Sequence, residues 1–294
     1  MAAADHPIPQ PRTSILGRYR LPGGANLWIG GGVIAVIFLV AIFAPLLAPH
    51  SPYDQDLSLR LAPPVFLGGT WAHPLGMDNL GRDYLSRLIY GARISLLIGL
   101  GTVTISGVFG TTLGLLAGYF GGRVDQVAMF IVTVRLSMPL VLVALAVVGL
   151  LGSSLTIIVA VLASLLWDRF AVVARAATMQ LREQDFVLAA RAIGCSPFWI
   201  MTREILPHLM GSIVVIATLE MANAILLEAG LSFLGLGVRP PAASWGLMIA
   251  EAKDLVFFES WLINIPGAAL FVLVMAINLL GDGLRDRLAS AQRK

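Results

Sequence analysis

Long apolar runs, separated by short polar turns and by two longer polar segments, set the pattern of this chain. They lie at about 27–47, 94–117, 127–151, 155–167, 209–229 and 261–280. A helix needs ~20 predominantly apolar residues to cross a hydrocarbon core of ~30 Å. Five runs reach that length, and the fourth does so if it continues as a more polar helix to 177. None shows the period-two alternation of a half-buried strand. In lipid every backbone polar group must be paired within the protein, so the choice lies between helices and a closed barrel. Unbroken runs predict helices. The expected fold is an all-α, polytopic membrane protein with six transmembrane helices.

The first run follows Arg12, Arg18 and Arg20, as the apolar region of a signal peptide would. Such a region is only ~7–15 residues long, so a retained anchor is expected. Loop charges then set the orientation. With the N-terminus in the cytoplasm, that side holds Arg12, Arg18, Arg20, Arg123, Arg169, Arg175, Arg182, Arg191, Arg203, Arg285, Arg287, Arg293 and Lys294. The outer side holds Arg60, Arg82, Arg87, Arg93, Arg239 and Lys253. Thirteen against six predicts that both termini are cytoplasmic. The expected organisation is a cytoplasmic tail at 1–26, a first transmembrane helix at 27–47 and an outer segment at 48–93. A five-helix core follows at 94–280, with a cytoplasmic loop at 178–208 and an outer segment at 230–259. A second cytoplasmic tail closes the chain at 281–294. Pro7, Pro9, Pro11 and Pro22 predict a partly flexible N-terminal tail. Gly107, Gly110, Gly114 and Gly118 lie within the second run, a spacing that lets two helix backbones approach closely.

Composition narrows the function. The chain is 57% hydrophobic and 13% charged, against about 25% charged in a soluble domain. Its formal charge of +3 is spread along the chain and does not point to nucleic acid. The lysines are Lys253 and Lys294, and neither follows a glycine-rich phosphate loop. His6, His50, His73 and His208 share no helical face, and no metal site is expected from them. One cysteine, Cys195, reads as a small residue in a packed loop. No nucleophile elbow or zinc-protease motif occurs in the sequence. Catalysis by this chain is therefore not expected, and energy for transport would have to come from a partner or an ion gradient.

The loop at 178–208 carries the most specific signal. Residues 185–194 read as a short helix stopped by Gly194, the residue suited to a left-handed cap. Ser196 and Pro197 then restart a helix as N-cap and first residue. That helix carries Phe198 and Trp199 and is expected to end near Pro207. Two bent helices with small Ala189 and Ala190, Arg191 and an apolar edge suit insertion into a groove of another protein. A helix pair lying on the bilayer surface is the alternative.

Ala189-Ala190, Gly194 and Leu206-Pro207 stand at the spacing of the "EAA" loop of bacterial ABC importer permeases, which this loop resembles. Leu188 replaces the family's leading Glu, and Glu204 its usual Ile. Three further blocks resemble the dipeptide/oligopeptide-type permeases, specifically the second of their two permease subunits. They are His73 to Arg93 (HPLGMDNLGRDYLSRLIYGAR), Glu228 to Gly246 (EAGLSFLGLG, then PP and SWG) and Asn278 to Asp286 (NLLGDGLRD). In the third run that group often has Arg and Asp where Phe130 and Thr133 stand, whereas this chain carries Arg135. The resemblance implies a type I ABC importer permease fold in the bacterial cytoplasmic (inner) membrane. It implies a homologous second permease and two ATP-binding-cassette ATPases, or one fused pair, which use ATP and Mg. It further implies an extracytoplasmic solute-binding protein and import of di- or oligopeptides by alternating access. Some relatives carry nickel complexes or haem.

Polar groups inside the bilayer remain to be placed. Ionised side chains cost ~2.5–3.5 kcal/mol at mid-helix on insertion scales, which makes them functional candidates. Arg135, Glu220, Asn223 and Glu228 are the candidates for the translocation pathway. Glu220 and Asn223 share a helix face and suit a peptide's ammonium and amide groups. Pairing of Glu220 with Arg135 inside the bundle is the competing reading, and Glu228 alternatively holds the outer segment in place. Asp78, Arg82, Asp83 and Arg87 form either a surface for the binding protein or a set of local ion pairs. Two other functions stay open from the residues alone, an ion-coupled transporter working by itself and a structural membrane anchor.

Overall fold

A computed structural model describes residues 23–291 of the chain. The tail expected at 1–26 therefore falls largely outside the described residues. The described chain is helical, with one isolated bridge between Met77 and Asp83. In order it comprises α1 (Gly23–Ile42), α2 (Ala44–Leu47), α3 (Tyr84–Phe120), α4 (Gly122–Leu136), α5 (Leu140–Leu151), α6 (Leu155–Leu165) and α7 (Asp168–Leu181). Then come α8 (Asp185–Ala192), α9 (Pro197–Trp199), a π-helical stretch (Ile200–Ile205), α10 (Leu206–Phe233), α11 (Trp245–Ala252) and α12 (Trp261–Ala291). Five helical segments are long and apolar enough to cross a membrane, and α4 with α5 makes a sixth, broken one.

Several expected boundaries move, each for a local reason. The helix expected from 94 begins at Tyr84, because the Asp83 carboxylate caps it by accepting from the Ser86 amide at 2.8 Å. Its polar first turns resemble a loop in sequence, but Tyr84, Ser86 and Arg87 are all buried. The third run is not one helix. It bends by 84° between α4 and α5. Pro139 cannot donate a backbone hydrogen bond and disfavours helical geometry in the residue before it, so it stands as the N-cap of α5. The fourth run continues through a short break at Leu166 and Trp167 into α7, as far as Leu181. The helix begun at Pro197 does not stop at Pro207. It runs through the π-helical stretch into α10, where the Leu206 amide bonds the Met201 carbonyl five residues back. The wider turn accommodates the proline's missing donor. The expected tail from 281 is helical to Ala291.

Packing is organised on α3. Its glycine face lies against α7 so closely that side chains do not fit. A Cβ on Gly110 would sit 2.7 Å from Phe170 Cβ, one on Gly114 2.8 Å from Ala174 Cβ, and one on Gly118 2.7 Å from Thr178 Cβ. The tight helix pair expected from the glycine spacing thus has α7 as its partner, which presents small Ala171, Ala174 and Thr178. Among the described residues four apolar clusters surround this pair, the smallest joining Leu113 of α3 and Met129 and Val132 of α4 to Trp167 and Ala171. Of the others, one joins α1, α3, α10, α11 and α12; a second joins α3, α7, α8 and α10; a third joins α3, α5, α6 and α10. Helix α1 leans on α12, where Gly30 and Gly283 allow contact with the backbones of Ala276 and Leu27 respectively.

Candidate coupling surface and intramembrane polar site

The loop between α7 and α10 folds as its caps dictate. Helix α8 ends at Gly194, whose φ of +85° places it in the left-handed region that favours glycine. The Ser196 side chain then accepts from the Trp199 amide at 3.3 Å, and Pro197 occupies the first turn of α9. Val187, Ala190 and Ile200 face inward onto the second apolar cluster, with Cys195 packed at its edge. Ala189, Ser196, Pro197, Phe198 and Trp199 point outward. So do Leu188 and Ile193, while Ala190, expected at the docking surface, anchors the loop instead. Ile193 is 81% exposed and Phe198 74%. Arg191 lies over the Tyr119 ring at 4.9 Å, which ties α8 to the end of α3. Pro207 lies at the start of α10. The result is a rigidly based, two-helix projection with an apolar edge.

Intramembrane charges find partners that sequence reasoning did not assign. Glu220 does not pair with Arg135. Its Oε1 accepts from Arg169 Nη1 at 2.8 Å and from Asn223 Nδ2 at 3.3 Å. Arg135 lies at the end of α4 and donates to the Leu165 carbonyl at the end of α6. There it meets an orphan carbonyl and the negative end of the helix dipole. Arg169 was missed because it follows the fourth apolar run and reads as a loop charge. The continuation into α7 turns it toward α10. The pair is uneven: the Glu220 side chain is 1% exposed and that of Arg169 62%. Glu220 Oε2 has no hydrogen-bond partner. A buried carboxylate is thus held by an arginine whose side chain is largely exposed.

Glu228 has a different task. Its Oε1 accepts from Ser232 Oγ at 2.7 Å and Ser244 Oγ at 2.8 Å. Ser244 in turn caps α11 through the Leu247 amide. The Trp245 ring NH donates to the Leu88 carbonyl at 2.9 Å. Glu228 therefore fastens α11 to α10, apart from Glu220 and Asn223. Asp78, Arg82 and Arg87 are local ion pairs. Arg82 Nε donates to Asp78 at 2.7 Å and its Nη2 to Glu251 at 3.0 Å. Arg87 also donates to Asp78, and its Nη2 lies 2.7 Å from Glu251, near enough for an ion pair without a hydrogen bond's alignment. Burial opposes the charged form of Asp78. The Arg87 guanidinium, the Arg82 amide and guanidinium and the Leu80 amide outweigh it, so its carboxyl lies below the usual carboxylate range.

The sequence profile described as "Binding-protein-dependent transport system inner membrane component" matches residues 110–294. The chain belongs to that family. Residues 27–64 match the "N-terminal TM domain of oligopeptide transport permease C". The di/tripeptide transport system permease protein DppC of Pseudomonas aeruginosa is 43% identical over 88% of this chain and 86% of its own length. The dipeptide transport system permease protein DppC of Haemophilus influenzae is 39% identical over 88% of each. Among solved structures, an inward-facing MetNI methionine ABC transporter matches with a TM-score of 0.55 and 20% identity, over 70% of this chain and 95% of that one. That likeness concerns the fold, a type I ABC importer permease.

Proposed function

We propose that this chain imports di- or oligopeptides as one permease of a pair, driven by ATPases that dock on the α8–α9 projection. It is the permease component of an ABC importer. The observation that carries the docking reading is the exposed apolar edge of Leu188, Ile193, Phe198 and Trp199 on a base fixed by Ala190 and Ile200. Such an edge, rigid and mounted on α10 through the π-helical stretch, can pass a partner's movement into the bundle. Partner subunits would supply ATP and Mg chemistry. Nucleotide binding would draw the two projections together and open the pathway outward, and hydrolysis would reset it.

The orientation follows from the charge balance of the loops. The α8–α9 end and both termini lie in the cytoplasm, in a bacterial inner membrane. Residues 48–83 and α11 face outward, toward a solute-binding protein. Arg169, Glu220 and Asn223 are the substrate-side candidates. The exposed guanidinium suits a peptide carboxylate and the buried carboxylate a peptide ammonium. Arg135 and Glu228 are the weaker candidates, since each already holds two helices together.

The test is affinity purification of the full chain from its native membrane, with partners identified by mass spectrometry and peptide-stimulated ATPase measured. A second permease and ATPases should co-purify with the wild type. Phe198→Asp should lose the ATPases while keeping the second permease. A chain that purifies alone in every detergent would overturn the reading and favour a transporter working by itself.

A further inference from the structure

Two of the histidines that share no helical face in sequence meet in space. We propose that His50, His73 and Asp83 form a binding site for a resident divalent transition-metal ion, zinc by its donor set. One ring nitrogen of each histidine and one carboxylate oxygen of Asp83 all lie within 4.8 Å of one another. His73 Nδ1 is 2.9 Å from Asp83 Oδ1, and His50 Nδ1 is 3.7 Å from the same oxygen. Zinc with ligand bonds of about 2.0–2.1 Å in a tetrahedron sets its donor atoms roughly 3.3 Å apart. The two separations from Asp83 bracket that value, and the two ring nitrogens, within 4.8 Å of each other, close on a common ion by rotation of the half-exposed His50 ring.

The donors are held in advance. Asp83 Oδ2 accepts from the Ser86 amide at 2.8 Å at the N-terminus of α3, which turns Oδ1 toward the histidines. The His50 amide donates to Ser86 Oγ at 3.1 Å, which fixes the backbone that carries its ring. The two rings stand 4.6 Å apart and tilted by 36°, each with a nitrogen toward the carboxylate. Metal-binding imidazoles and carboxylates are ordinarily fixed by such outer contacts. A cavity of about 260 Å³ opens beside the three donors and is also lined by Asp54 and Asp56. It leaves room for water to complete four coordination, and its acidic wall favours a cation. Imidazole and carboxylate together suit zinc over calcium or magnesium, which take oxygen donors.

The site joins three distant parts of the chain: the residues after α2, the turn before Gly76 and the cap of α3. It lies at the opposite end of α3 from the α8–α9 projection. Helix α3 has 37 residues, a length of roughly 55 Å. An ion there would staple residues 48–83 to the bundle and stabilise the segment without touching the coupling surface.

The experiment uses the full chain in detergent, with its co-purifying partners and a tag free of histidine. Zinc alone is titrated by calorimetry and cobalt alone by visible absorption. The expected result is one ion per chain, the d–d bands of four-coordinate cobalt, and a melting temperature raised by zinc. His50→Ala should bind at least about tenfold more weakly and lose the zinc-dependent rise in melting temperature. His50 is half exposed, so this variant keeps the fold, and its unchanged melting temperature without zinc checks that. No saturable binding by the wild type, no four-coordinate cobalt spectrum, or equal affinity in His50→Ala would each overturn the site and leave a hydrogen-bonded His73–Asp83 pair.

Discussion

The two ends of α3 are built on opposite principles. At its C-terminal end, α8 and α9 leave Leu188, Ile193, Phe198 and Trp199 uncovered, and few polar contacts hold the projection. At its N-terminal end, Asp78, Arg82, Arg87 and Glu251 form a buried ion network that binds residues 48–83 to α11. An apolar edge in water costs free energy until a partner covers it, and a surface whose backing is fixed loses little entropy when it docks. Buried ion pairs gain little net stability, but removing one member leaves the other charge without compensation. On the proposed reading the first end serves contact with a partner, and the second is sensitive to loss. Substitutions at the ion network should act on stability, and those at the projection on partner binding.

Arg87→Met should give the largest effect. It removes one of the two guanidinium partners of both Asp78 and Glu251, leaving Arg82 to hold each, a loss approaching the ~3–5 kcal/mol of breaking a buried pair. A steep fall in melting temperature of the detergent-solubilised chain checks it, and retention of wild-type stability would show that the network is solvated. Phe198→Asp should reverse that profile. Stability stays unchanged while affinity for the ATPases falls by about 2 kcal/mol or more, roughly 30-fold, if Phe198 is a hot spot. Surface plasmon resonance against the isolated ATPases would measure this.

Acid should loosen the ion network and leave the apolar projection in place. The carboxyl of Asp78 titrates lower in the folded chain than in the unfolded one. Its contribution is therefore complete above the unfolded value of about 3.9 and disappears as pH falls through the folded value. Melting temperature should drop below about pH 4, and less so in Arg87→Met, where the main favourable charge is already gone. Glu220→Gln keeps the bulk of the side chain and removes its charge. Peptide uptake should fall with assembly intact, and unaltered uptake would take Glu220 out of the pathway. Gly194→Ala should be the mildest change. Nothing lies within 4 Å of the added Cβ, so only the left-handed backbone resists it, at about 1 kcal/mol. A small loss of coupled ATPase activity, with partners still bound, is the expected outcome.

The residues 185–207 show how far a sequence carries. Helix, glycine stop, Ser-Pro restart and apolar edge were all legible, because caps and turns depend on residues a few positions apart. The continuation past Pro207 was not, since the π-helical stretch that absorbs the proline is a compromise between backbone bonding and packing on α3 and α7. The same division holds for the intramembrane charges. Hydropathy marked Glu220 as an expensive residue in need of a partner, but both Arg135 and Arg169 qualified by charge.

The apolar runs, the glycine spacing and the caps, taken alone, determined an all-α membrane fold with a projecting two-helix loop, because each is a local consequence of solvent and backbone geometry. Only the tertiary structure decided that α7 fills the glycine face, that Arg169 holds Glu220, that Ala190 anchors the projection, and that His50 and His73 meet at Asp83. Those pairings join residues 10 to 60 positions apart, and their choice is made by the packing of whole helices, which no short stretch of sequence contains.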